Sequence, residues 1–147
     1  MENQDRAMRY ARQIARMIQV DTVRRPGADK ENFDRLHAVM AELFPRVFEG
    51  CRRWEFESSL LFCWPGKTRR ALVLMSHQDV VEAPGAWKYP PFSGTIAEGK
   101  LWGRGALDVK GNLHDIFQAV DVGFHSVMYD GSKLPLEENI ANTKRVA

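Results

Sequence analysis

The sequence predicts an α/β fold, a three-layer sandwich built on a mixed and partly parallel sheet. A continuous apolar run at 71–75 predicts a strand that is buried on both faces. A helical pattern follows at 112–121, and a second strand-like segment at 124–129. A strand, a helix and a strand in that order are typical of a parallel crossover unit. The 147 residues suffice for one domain, which we expect to span 1–147.

Two helices are predicted ahead of this unit. Apolar residues recur at intervals of three and four over 5–20 and again over 30–43. Pro45 is expected to end the second helix, because proline disrupts the interior of a helix. Strand-like segments at 47–56 and 59–64 then predict a hairpin.

The remaining elements are marked by glycine and proline. A smaller hairpin is predicted at 95–102, with its turn at Glu98 and Gly99. Gly123 is expected to cap the helix at 112–121, and a last helix is predicted from Pro135 to Val146. The loop at 81–93 carries Trp87, Tyr89 and Phe92, which either wall a substrate site or pack the loop onto the domain.

Charge and cysteine content limit the function classes. The formal net charge is only +2, so we expect neither a nucleic-acid nor a membrane partner. The N terminus is polar and lacks the apolar centre of a signal peptide. The two cysteines, Cys51 and Cys63, are too few for a disulfide framework and are expected to be buried thiols. These features predict a cytoplasmic protein.

Three side chains suggest a metal site. His77 and Asp79 follow the buried strand, and residues two apart in extended chain point the same way. Asp108 comes about thirty residues later, after the glycine-rich turn Gly103-Arg104-Gly105. One histidine with carboxylates is a ligand set that suits a divalent metal such as zinc.

The motifs around these residues resemble a known family. SHQDVV, then W-x-x-x-PFSG, then GKLWGRGALDVKG are similar to the dinuclear zinc metallopeptidases that include carboxypeptidase G, aminoacylase and the amino-acid deacetylases. The resemblance covers about residues 7–120. It implies that His77 binds one of two zinc ions, that Asp108 bridges both, and that Asp79 orients the histidine ring. It also implies hydrolysis of a small peptide or an N-acyl amino acid.

The resemblance is incomplete, so the fold is expected to be truncated relative to the full catalytic domain. The family uses a Glu-Glu pair as general base and zinc ligand, a further acidic ligand and a distant histidine. None of these is recognisable in this sequence. Glu137 and Glu138 are adjacent, but they follow a proline and not a strand.

The C-terminal part resembles a different family. Residues from about 120 to 147 contain GF-x-SVM-x-DGS-x-LP-x-EEN, which is similar to an internal segment of the class II fructose-bisphosphate aldolases. In that family the aspartate that matches Asp130 helps to hold a metal. The chain therefore resembles two unrelated enzymes in succession, with a crossover between Asn112 and Val122.

Three functional hypotheses follow. The first is a zinc-dependent amide hydrolase with an incomplete metal site and little or no activity. If the strand at 124–129 docks in the sheet, Asp130 could serve it as a third ligand. The second is a non-catalytic chimeric or truncated chain, whose exposed sheet edge pairs with another chain or is covered by the last helix. The third, an aldolase-type lyase, rests on Asp130 alone.

Overall fold

The computed structural model describes residues 2–25, 29–67 and 70–129. This part of the chain is an α/β fragment of mixed helices and small sheets. The elements are α1 (Glu2–Ile18), α2 (Asp29–Leu43), α3 (Pro45–Gly50), β1 (Arg52–Phe56), β2 (Ser59–Cys63), β3 (Thr95–Ala97), β4 (Lys100–Trp102) and α4 (Lys110–Tyr129). Within these described ranges, no helix is both long and apolar enough to cross a membrane.

The core is formed mainly by the helices. Phe117 of α4 lies near its centre, with ring centroids 5.5 Å from Phe44 and 5.3 Å from Phe62. The other buried members of this cluster come from α1, α2, α3, α4 and the residues beside them: Met17, Val20, Leu36, Met40, Val47, Cys51 and Leu113. The apolar faces of α1, α2 and α4 therefore pack mainly against one another, and β2 contributes Phe62 to the same core.

The first half of the chain follows the predicted order with one correction. The helices predicted at 5–20 and 30–43 are confirmed as α1 and α2. α2 ends at Leu43, just before Pro45, as predicted. The chain then becomes helical again, because Pro45 occupies the first turn of α3, where its missing N–H costs no hydrogen bond. The strand predicted from 47 was wrong in its first half, and β1 begins only at Arg52.

Two antiparallel hairpins make up the described sheets. β1 pairs with β2, with Trp54 opposite Leu61, and β3 pairs with β4, with Ile96 opposite Leu101. The turn of the second hairpin lies at Glu98 and Gly99, as predicted. Both residues have positive φ angles, 58° and 69°, which is the backbone that a two-residue hairpin turn needs.

The apolar run at 71–75 is not a strand in this structure, so that prediction was wrong. Leu72 and Met75 are each 85% exposed. A buried parallel strand needs a neighbour along each edge, and the described residues place no strand beside this segment. The only parallel pairing in the described ranges is a single bridge between Val23 and Val80.

The strand predicted at 124–129 was also wrong, because α4 continues through it to Tyr129. Gly123 therefore does not cap the helix. A Cβ at Gly123 would lie 3.1 Å from the Trp64 ring, and that ring stacks on Phe124 with centroids 4.1 Å apart. The glycine lets α4 approach Trp64 closely. The helix predicted from Pro135 to Val146 lies outside the described residues.

His114 is a fully buried histidine inside this helical core. Its Nε2 lies 3.0 Å from Oε1 of Gln13, and the ring packs edge-on against Tyr10 and Phe44. Burial lowers the pKa of His114, and the nearby carboxylate of Asp115 only partly opposes this effect. Burial in the folded protein therefore favours the neutral form of this ring.

We predict that the free energy of unfolding decreases as the pH is lowered, and that part of this decrease is due to His114. Its folded-state pKa lies below the ordinary value of about 6.5, so the unfolded chain binds the proton more readily. The stabilising contribution is complete above pH 6.5 and is lost as the pH falls through the folded-state pKa. Urea unfolding measures the free energy of unfolding at pH 7.5 and at pH 5.5. The decrease between these two pH values should be smaller for His114→Gln than for the unmodified protein.

His37 serves as the internal control, because burial lowers its pKa in the same direction and it is present in both proteins. Its contribution cancels when the two losses are subtracted. Equal losses of unfolding free energy in the two proteins would contradict the assignment to His114.

Candidate metal centre

The His77 ring is oriented by the backbone of Asp79. Its Nδ1 lies 3.0 Å from the carbonyl oxygen of Asp79 and 3.4 Å from Oδ1 of the same residue. A carbonyl oxygen can only accept a hydrogen bond, so Nδ1 is the nitrogen that carries the proton. In the neutral ring, Nε2 is then left with a free lone pair, which is the form that binds metals.

Asp108 faces that lone pair. Its Oδ1 lies 3.2 Å from Nε2 of His77, and its side chain is otherwise 90% exposed. A carboxylate and the lone pair of a neutral imidazole are both acceptors, so their contact requires a proton or a cation between them. Two ligands of a tetrahedral zinc ion lie roughly 3.3 Å apart, because each is about 2 Å from the metal. The kind and spacing of the two groups therefore fit zinc.

The number of ligands falls short of a complete site. Catalytic zinc is ordinarily held by three protein ligands, and His77 with Asp108 supplies two. Residues 2–25, 29–67 and 70–129 contain no group of three or more His, Cys, Asp or Glu side chains placed to hold a metal ion. Asp130, the residue expected to complete the set, lies outside the described residues. The strand on which that expectation rested is replaced by the end of α4.

The Asp79 carboxylate has a second neighbour that the sequence did not indicate. Its Oδ2 lies 3.7 Å from Nε of Arg24, whose guanidinium stacks over the Phe33 ring. Arg24 thus offsets the negative charge beside the imidazole. The three residues predicted from the sequence, His77, Asp79 and Asp108, are brought together at one point of the surface.

A cavity of about 250 Å³ opens beside His77. Its lining is mostly polar and includes Arg24, Ser58, Ser76 and Gln78. Gln78 accepts a hydrogen bond from His37, with Nε2 and Oε1 2.6 Å apart, and burial lowers the pKa of that histidine. The cavity is large enough for a small polar group next to His77 and Asp79.

The aromatic residues of the 81–93 loop do not line this cavity. The Tyr89 ring lies 5.5 Å from that of Trp102, and Trp87 donates a hydrogen bond to the carbonyl oxygen of Pro84. These contacts favour packing of the loop on itself and on the second hairpin over a substrate wall.

Two fully buried polar residues near the site were missed by sequence analysis, Thr22 and Lys110. Thr22 Oγ1 donates to the carbonyl oxygen of Gln78 at 2.7 Å. Burial lowers the pKa of Lys110 to about 8. Lys110 occurs inside the GRGALDVKG motif, and a lysine two residues after a candidate ligand is the only sequence signal that could have drawn attention to it.

Comparison with known proteins assigns the segment around this site. The sequence profile of peptidase family M20/M25/M40 matches residues 73–121, which include His77, Asp79 and Asp108. This segment is a fragment of the M20 metallopeptidase type. We call residues 73–121 the peptidase segment.

Curated relatives support the same assignment. Carboxypeptidase S of Saccharomyces cerevisiae is 34% identical over 70% of this chain and 19% of its own length. Succinyl-diaminopimelate desuccinylase of Methylobacterium radiotolerans is 34% identical over 71% of the chain and 28% of its own length. The desuccinylase of Paracoccus denitrificans is 40% identical over 58% of the chain and 23% of its own length. The chain thus spans less than a third of each of these relatives.

A second profile overlaps the peptidase segment. Class-II fructose-bisphosphate aldolase matches residues 106–147, so residues 106–121 fall within both matches. The crossover predicted between Asn112 and Val122 lies almost wholly inside this overlap. The search of solved structures gave no significant match.

We predict that the neutral His77 ring carries its proton on Nδ1 and that Asp79→Asn leaves it there. The acceptor at 3.0 Å is the backbone carbonyl, which this substitution retains. Nitrogen-15 NMR of the imidazole, recorded without metal at a pH where the ring is neutral, distinguishes the two tautomers. A proton on Nε2, or a switch to Nε2 in Asp79→Asn, would show that the backbone does not fix the ring.

Proposed function

We propose that the peptidase segment carries part of a zinc site for amide hydrolysis, with His77 and Asp108 as zinc ligands. The observation that supports this most is the 3.2 Å contact between Nε2 of His77 and Oδ1 of Asp108, which places the lone pair of the neutral ring against a carboxylate oxygen. A bound cation would satisfy both. The proposal agrees with the family assignment, which rests on independent sequence similarity.

The residues of this chain have distinct tasks in the proposed site. A zinc ion held there would supply Lewis acidity towards an amide carbonyl and a bound water. His77 presents Nε2, because the Asp79 carbonyl binds the opposite side of its ring. Asp108 supplies one oxygen beside His77, and its exposed carboxylate leaves the other free for a second cation, as expected of a bridging ligand.

The proposed substrates are small peptides or N-acyl amino acids. Two kinds of relative support this class, since they are named as a carboxypeptidase and as succinyl-diaminopimelate desuccinylases. The polar cavity beside His77 could accept one end of such a molecule. Cys51 and Cys63 are free thiols, which fits the cytoplasmic location that we propose.

A non-catalytic chain is the second candidate, and the ligand count favours it. Two ligands should hold zinc weakly and leave turnover low or absent. We propose that the chain joins the peptidase segment to an aldolase-like C-terminal part, and the overlapping matches support this. The exposed apolar run around Leu72 and Met75 is then a surface through which the chain could associate with another chain. An aldolase activity is supported only by the aldolase match at residues 106–147.

We predict weak zinc binding at one surface site that requires both His77 and Asp108. Isothermal titration should give a binding free energy smaller in magnitude than the about 10–16 kcal/mol of four-ligand structural sites. His77→Ala and Asp108→Asn should abolish the binding. Asp34→Asn is the matched control, because its exposed carboxylate pairs with Lys30 on α2 and is not part of the proposed site.

Hydrolysis of N-acetyl amino acids and dipeptides, assayed in the same samples, separates the two candidates. Zinc-dependent turnover that disappears in His77→Ala indicates a working hydrolase. Zinc binding without turnover indicates an incomplete site. Zinc binding that is unchanged in both site variants would refute the proposed ligands.

A further inference from the structure

A buried lysine at the start of α4, Lys110, binds the carboxyl end of α1. The last carbonyl groups of a helix have no partners within it and carry partial negative charge. Nζ of Lys110 donates to the carbonyl oxygens of Met17 at 2.9 Å and Val20 at 2.6 Å. Lys110 is fully buried, so these hydrogen bonds replace the water that its ammonium group loses.

The residues just after α1 hold the segment that bears His77. Thr22 Oγ1 donates to the carbonyl oxygen of Gln78 at 2.7 Å, and the Val80 N–H donates to the carbonyl oxygen of Thr22 at 3.2 Å. Gln78 is the immediate neighbour of His77. Thr22 therefore fixes the backbone on which the histidine is carried.

Lys110 in turn holds the turn that bears Asp108. Its own N–H donates to the carbonyl oxygen of Gly105 at 2.8 Å, which closes the turn around Asp108. A Cβ at Gly105, where φ is 86°, would lie 2.9 Å from Cγ1 of Val80 and 3.4 Å from the Lys110 side chain. The turn is thus packed directly against the His77 segment. The Asp108 side chain is almost fully exposed, so its position depends on the backbone of this turn.

We infer that Lys110 is a positioning residue, which ties the Asp108 turn to the end of α1 so that Asp108 stays opposite His77. This inference rests on the proposed metal site. Lys110 touches neither substrate nor metal in this role. It acts through one short stretch of chain, residues 17–23. This stretch binds the backbone of Gln78, next to His77, and it also binds the side chain of Lys110, two residues after Asp108.

The test compares zinc affinity in Lys110→Met and Leu113→Ala. Lys110→Met keeps the length of the side chain and removes its donors. Leu113 is buried in the core on the same helix, so Leu113→Ala destabilises the fold without touching the turn. We expect Lys110→Met to weaken zinc binding by about 10- to 100-fold, as for other residues that support metal ligands, and Leu113→Ala to stay within about twofold.

A second variant covers the case in which Lys110→Met does not fold. Gly105→Ala leaves the buried ammonium in place but forces the turn away from Val80, and it should weaken zinc binding in the same way. Zinc affinity equal to that of the unmodified protein in a folded Lys110→Met sample, or in Gly105→Ala if the first does not fold, overturns the inference.

Hydrogen exchange without metal separates this inference from the proposed function. In Lys110→Met, the amides of residues 106 and 110 should lose protection by at least about tenfold relative to Leu113→Ala, because these amides close the turn. If the unmodified protein binds no zinc, the proposed site fails, and the exchange result alone decides whether Lys110 holds the turn. Unchanged protection at both amides would overturn the role of Lys110.

Discussion

A buried ammonium group at the end of α1 connects the parts of the chain on which the candidate site depends. Lys110 reaches from the first residue of α4 to the carbonyl groups of Met17 and Val20 at the end of α1. Thr22, which follows the same helix, binds the backbone next to His77. His77 and Asp108 are 31 positions apart in sequence, yet both are positioned from one helix terminus. The site is therefore organised by helix packing and not by a sheet.

This dependence explains which elements the sequence could predict. α1, α2 and the second hairpin were predicted because their signals are local: apolar spacing along a helix, and a two-residue turn at Glu98 and Gly99. The strands at 71–75 and 124–129 were predicted from apolar content alone. Such content suits a buried strand or a buried helix equally, and only neighbours decide between them. Phe124 lies in a helix and stacks on Trp64, whereas Leu72 is exposed and has no neighbouring strand among the described residues.

In the candidate site, too, some features could be predicted from the sequence and others could not. His77, Asp79 and Asp108 could be chosen from the sequence because they are side chains of the right chemistry within linked motifs. The acceptor that fixes the His77 tautomer could not, because it is the backbone carbonyl of Asp79 and leaves no side-chain pattern. The task of Lys110 was hidden for a related reason, since its partners are carbonyl groups about ninety positions away. A third ligand is not found among residues 2–25, 29–67 and 70–129.

The central proposal is that His77 and Asp108 bind zinc as one histidine and one carboxylate, with no third protein ligand supplied by residues 2–25, 29–67 and 70–129. X-ray absorption spectroscopy of the zinc-loaded protein tests it most directly, because imidazole, oxygen and sulfur neighbours of zinc are distinguishable. The account predicts one imidazole per zinc, with the remaining positions filled by oxygen, and loss of that imidazole signal in His77→Ala. Two or more imidazoles, or a sulfur neighbour from Cys51 or Cys63, would contradict it.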